Sequence, residues 1–148
     1  MQCPAEMRWE IPKCVGDLPK KRSGHTFTAM DSFAYMFGGC VAGGENPPGP
    51  TNDLYKLDMC SDSEFYWIKL KPEDGGAVPT SRWHHSANKI SDSRIVVFGG
   101  FSSHKHKPRL NDIWVLDTVD DTWYSQDKLV AEDSKFLDEA GAIWKTRG

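Results

Sequence analysis

The sequence has no apolar run approaching the roughly 20 residues that a membrane-crossing helix needs. Its start, Met1-Gln-Cys-Pro-Ala-Glu6, lacks the charged-then-apolar order of a secretory leader. It has no excess of one charge: 18 Lys and Arg stand against 21 Asp and Glu, a net charge of -3. Electrostatics therefore selects neither nucleic acid nor a membrane surface as partner. The four cysteines, Cys3, Cys14, Cys40 and Cys60, are scattered, with no C-x-x-C pair. That spacing predicts reduced thiols and a cytoplasmic or nuclear setting. A phosphate cradle is missing too, since the Gly-Gly pairs end apolar runs and Ala42-Gly-Gly-Glu45 has no lysine. Basic clusters interleaved with aromatics, which single-stranded nucleic acid would want, are also absent.

What is present is enough for an ordinary domain: 148 residues, 39% of them hydrophobic, with six Trp, seven Phe and four Tyr. Thirteen Gly and nine Pro imply many turns, as in an all-β chain. The chain also repeats. Phe33-Ala-Tyr-Met-Phe-Gly-Gly39 returns as Arg94-Ile-Val-Val-Phe-Gly-Gly100. Ahead of these runs stand Arg22-Ser-Gly-His25 and Arg82-Trp-His-His85. Behind them follow Asn52-Asp-Leu-Tyr-Lys-Leu-Asp58 and Asn111-Asp-Ile-Trp-Val-Leu-Asp117, then Trp67 and Trp123.

Each repeat reads as four short strands. In the first, strands are expected at His25–Met30, Phe33–Phe37, Leu54–Asp58 and Phe65–Leu70. In the second they fall at His84–Ile90, Ile95–Phe98, Ile113–Asp117 and Thr122–Ser125. Phe33–Phe37 is apolar at every position, so both of its faces should be covered. Residues 1–18 contain one further strand, Met7–Ile11, whose Trp9 bears the same relation to Arg22 as Trp67 does to Arg82. It is read as the last strand of an incomplete unit. Residues 19–70 and 82–126 are the two units and 71–81 is a Pro/Gly-rich connector. The tail, 127–148, carries a short helix: Phe136, Leu137, Ala140, Ile143 and Trp144 share one helical face, with Ser134 as N-cap.

A period of about 50–60 residues with four strands per unit is the signature of a β-propeller. Over residues 7–126 the Arg/His, apolar-Gly-Gly, Asn-Asp-apolar and Trp landmarks closely resemble kelch repeats. The fold expected is all-β: a partial kelch-type propeller of two four-stranded antiparallel blades, an N-terminal strand and a short C-terminal helix. Propellers typically have four to eight blades, so two open blade faces remain to be covered. A longer chain, self-association or other subunits of an assembly would each cover them.

The resemblance implies a non-enzymatic scaffold or adaptor that binds a protein partner through the loops of one rim. Those loops are Cys40–Thr51, Lys71–Ser81 and Phe101–Leu110, irregular segments held by rigid strands. The partner-binding candidates are Arg22 and Arg82, near the mouth of the ring in kelch proteins, and the basic loop His104, Lys105, His106, Lys107 and Arg109. His104 and His106 have no local Cys, Asp or Glu to complete a metal site, so no metal, cofactor or catalytic residue is expected. His25, His84 and His85 recur at the start of the first strand, which favours structural hydrogen bonding. Asp53 and Asp112 are expected to organise the turn into the third strand. Two alternatives to the adaptor follow: a structural subunit whose blade faces are buried by neighbours, and a piece of a kelch-like metal-dependent enzyme.

Overall fold

The computed structural model describes residues 9–42, 49–61, 63–72, 76–103 and 108–126. The first blade is built from β3 (Thr26–Met30), β4 (Phe33–Phe37), β7 (Leu54–Asp58) and β8 (Glu64–Leu70). These four are antiparallel neighbours in chain order, and β1 (Lys13–Gly16) adds a fifth strand, parallel to β8, at the outer edge. The second blade has β9 (Ser86–Ser91), β10 (Arg94–Phe101), β11 (Arg109–Asp117) and β12 (Thr122–Ser125), again antiparallel. A small ladder of β2 (Arg22–Ser23), β5 (Cys40–Val41) and β6 (Gly49–Pro50) ties the segment before the first blade to the loop after β4. The Trp83–Phe101 bridge is its counterpart in the second blade.

The local chemistry explains these boundaries. β4 is buried along nearly its whole length because both faces of the sheet are covered. Asp31 and Asp121 turn the chain at φ 49° and 58°, the left-handed region that a short polar side chain tolerates. Gly39 and Gly100 follow the central strands at φ 90° and 94°. A Cβ on Gly100 would lie 2.7 Å from the Trp83 carbonyl oxygen and 2.9 Å from His85 Cβ. The second glycine of each pair therefore lets the next turn of the chain pass close to the sheet.

The core lies between the blades. Met30, Tyr35, Phe37 and Leu54 from the first face Ile95, Val97, Leu116 and Trp123 from the second. Phe37 and Trp123 meet with ring centroids 4.8 Å apart, and Phe37 meets His85 edge-on at 5.2 Å. Polar pins flank this contact: Tyr35 donates its hydroxyl to Asp121 Oδ1 at 2.7 Å, and Lys56 reaches Asp121 Oδ2 at 3.4 Å. Burial and the Asp121 contact raise the Tyr35 pKa, so its phenol stays protonated and donating.

One expected strand moves. Trp9 and Ile11 are 95% and 99% exposed, outside any strand, and pairing begins only at Lys13. Instead of finishing an incomplete unit, the N-terminal strand joins the first blade. A strand without its own blade has no ladder partner, and the free edge of β8 supplies one. The fit depends on Gly16, whose Cβ would overlap the Trp67 carbonyl oxygen. The helix expected over Ser134–Trp144 lies outside the described residues.

Candidate functional site

Each blade begins with a buried arginine that closes on an aspartate about 30 residues later. Arg82 is fully buried. Its Nε donates to the Thr80 carbonyl at 3.0 Å, and Nη1 donates to the Gly99 carbonyl at 3.1 Å. Both Nη atoms grip the Asp112 carboxylate, at 2.9 and 2.8 Å, in the fork geometry that makes such pairs strong. Asp112 Oδ2 also accepts from Trp114 Nε1 at 2.7 Å. The Arg82 hydrogen bond holds the Asp112 carboxyl below the usual carboxylate range, against the opposing effect of burial.

Arg22 repeats the arrangement. It donates to the Lys20 and Gly38 carbonyls and reaches Asp53 Oδ2 at 3.3 Å. Its guanidinium lies 5.2 Å from the Tyr55 ring centre. Asp53 is shared with Lys69, whose Nζ lies 2.8 Å from Oδ1. Burial pushes the Asp53 carboxyl up, but Lys69, Thr51 and Arg22 together bring it below its ordinary value.

The backbone of Arg82 also bridges the blades: its carbonyl accepts from Gly39 N at 2.8 Å, and its N–H donates to the Thr51 carbonyl at 3.1 Å. The Asn52 amide donates to the Pro79 carbonyl at 3.3 Å, and His84 N donates to the Gly24 carbonyl at 2.8 Å. These bonds hold together the start of the second blade and the loop that leaves the first. Beside them a cleft of about 150 Å³ opens between the blades, lined by Leu54, Leu70, Pro72, Val78 and Trp123 together with Asp53, Asp121, Lys69 and Lys71. Its lining mixes apolar side chains with charges of both signs, a composition suited to a peptide side chain.

The expected contact residues separate. Arg22 and Arg82 spend their guanidinium groups on internal acceptors, with side chains 3% and 0% exposed. They anchor the loops and offer a partner no free donor fork. Arg109 is exposed at the start of β11, paired with Phe101. His104, Lys105, His106 and Lys107 lie outside the described residues. Among the described residues, no three His, Cys, Asp or Glu side chains converge as metal ligands would. Cys14 and Cys60 are exposed free thiols.

His85 behaves as a joint residue: its Nε2 lies 2.9 Å from Thr26 Oγ1 across the blades, and its Nδ1 is buried with no hydrogen-bond partner among the described residues. Burial lowers its pKa to about 4, with Arg82, His25 and His84 adding to the effect. Asp53 and Asp112 were expected to organise a turn. They are instead the acceptors of the arginine clamps. The signal for this lay in the repeat, where Arg and Asn-Asp recur together at nearly the same separation.

Residues 3–134 match the family described as the KLHDC2/KLHL20/DRC7 Kelch-repeats domain. The flagellar outer arm dynein alpha chain of Chlamydomonas reinhardtii is 35% identical over 115 residues, 78% of this chain and 2% of that one. Host cell factor 1 of Homo sapiens is 31% identical over 131 residues, covering 78% of this chain and 6% of that protein. The F-box/kelch-repeat protein At1g51550 of Arabidopsis thaliana is 35% identical over 105 residues, 68% of this chain and 20% of its own length. The chain thus spans at most a fifth of the length of these relatives. A solved structure titled "Structure of YjhT" superposes with a TM-score of 0.57 at 17% identity, over 71% of this chain and 37% of that one, a likeness of fold alone. With the double glycines, the arginine clamps and the interblade tryptophan all in place, the chain belongs to the kelch-repeat family.

Proposed function

We propose that this chain is a non-enzymatic protein-interaction module that binds a protein partner through the rim where Cys40–Thr51, Lys71–Ser81 and Phe101–Leu110 emerge. The observation that carries the reading is the arginine clamp. Arg82 fixes Thr80, Gly99 and Asp112 at once, so the loops beside it start from rigid points. Their other atoms are left for recognition. The cleft between the blades, which Lys71 also lines, would take an apolar side chain of the partner. Arg109, exposed at the start of β11, is a further candidate contact on the Phe101–Leu110 loop. The relatives include an F-box/kelch-repeat protein and a dynein chain, and a binding module serves in such large proteins without chemistry of its own.

The test is a pull-down with the intact chain, with a variant lacking Phe101–Leu110, and with Lys71→Glu. Loss of the recovered partner in both variants, with the far-ultraviolet spectrum unchanged, supports the rim. Unchanged recovery contradicts it.

A further inference from the structure

The joint between the two blades has two halves, and among the described residues the repeat supplies a second, uncovered copy of each. On the receiving half, Phe37 corresponds to Phe98; on the donating half, Trp123 corresponds to Trp67. Register places Val96 beside Phe98 on the outward face of the second blade, with Val115, already buried, in the same row. It places Phe27 and Trp67 on the outward face of the first, where the two rings lie 6.0 Å apart. Half of Phe98 (50%) and half of Phe27 (52%) reach solvent. These are large apolar groups left on two sheet faces, not scattered singly.

The substitutions between the repeats are matched across the open faces. In the filled joint, Tyr35 and Lys56 on one side meet Asp121 on the other. Their counterparts are Val96 and Val115 on the receiving face and Phe65 on the donating face. Both sides have exchanged polar for apolar together, as two surfaces that meet each other would require. Had only one side changed, a buried carboxylate would face valines, at a desolvation cost.

The hydrogen-bonding pairs of the joint are also kept. Thr26 and His85, bonded in the filled joint, correspond to Ser86 and His25, both exposed. Asn52 and the Pro79 carbonyl, likewise bonded, correspond to Asn111, which is exposed, and Pro19.

We infer that the outward face of the second blade takes the outward face of the first blade from a second copy of this chain, joining copies head to tail. Phe98 of one copy would pack on Trp67 of the next, Val96 on Phe65, and Ser86 would meet His25. An interface of this kind uses a different surface on each side, and it closes into a ring when the rotation per copy allows. Two blades per copy and about four to eight blades per propeller give rings of two to four copies.

Light scattering on the full chain reads the outcome directly. The expected result is a mass of two, three or four times 16.7 kDa. Phe98→Asp and Phe27→Asp place a charge where the lone chain is already half exposed, so each should fold and each should leave only single copies. An equimolar mixture of the two variants should rebuild a two-copy species, because each contributes the face that the other has lost. A single-copy mass for the unmodified chain at all concentrations overturns the inference and leaves the faces to a blade from elsewhere. So does a mass that neither variant changes. A mixture that stays single-copy while the unmodified chain assembles also overturns it, since like faces must then meet like.

Discussion

Arg82 and Arg22 hold the same place in consecutive blades, yet only one of them lies at a closed joint. Arg82 binds Asp112 through two short hydrogen bonds, while its backbone N–H and carbonyl both bond across to the first blade. Arg22 reaches Asp53 through a single longer contact, and Asp53 divides itself with Lys69, whose side chain is 43% exposed. Both guanidinium groups are buried, and a buried charge is tolerated only if its donors are matched. Asp53 (22% exposed) is no more solvated than Asp112 (36%), so the two clamps differ in geometry and in the lysine that shares Asp53, not in burial.

The tryptophans give the largest expected contrast. Trp123, 8% exposed against Phe37, should cost about 3–5 kcal/mol when changed to Ala, as large core truncations do. Trp67→Ala on the open face of a single copy should cost about 1–2 kcal/mol. Urea unfolding of both variants checks the ranking, and equal losses would mean that the joint is not the core.

The clamps come next. Arg82→Ala removes one partner of a buried ion pair and leaves the Gly99 and Thr80 carbonyls without their donor, a loss of about 3 kcal/mol. Arg22→Ala should lose about 1–2 kcal/mol, because Lys69 still neutralises Asp53. Thermal midpoints of the two variants decide it.

Acid should act on the joint before it acts on the clamps. The folded pKa of His85 is lowered to about 4, whereas an unfolded histidine titrates near 6.5. As pH falls between these values the unfolded chain takes up the proton first, so stability is full above about 6.5 and declines toward 4. The whole decline is at most about 3 kcal/mol. Asp112 and Asp53, with pKa values lowered in the fold, lose their contributions only further into acid. Unfolding midpoints at pH 7.5 and 5 should differ in the intact chain and much less in His85→Gln. The smallest effect is expected at Lys69→Ala, below about 0.5 kcal/mol, because that ion pair is partly solvated.

Much of the fold was legible because its signals are local. Phe33–Phe37, Leu54–Asp58 and Thr122–Ser125 form strands with the bounds expected from apolar runs and turn residues. β10 runs longer than Ile95–Phe98, because pairing with β11 resumes beyond an irregularity at the glycines. That extension depends on a strand returning from a loop, which no short window contains. The strand at Lys13–Gly16 was missed for the same kind of reason: β8 offers an edge, and the close approach to the Trp67 carbonyl at the end of the pairing needs a glycine at 16. The clamps of Arg22 and Arg82 were not legible in the sequence because an arginine near a ring mouth is equally suited to a partner or to an internal carboxylate. The deciding fact is distance to Asp53 and Asp112, set by the sheet.

The joint itself is tested most directly by a double-mutant cycle on Phe37→Leu and Trp123→Leu, read by urea unfolding. Packed rings at the observed separation should be coupled by about 1 kcal/mol. Losses that add to within about 0.3 kcal/mol would show that the two blades do not meet through these residues.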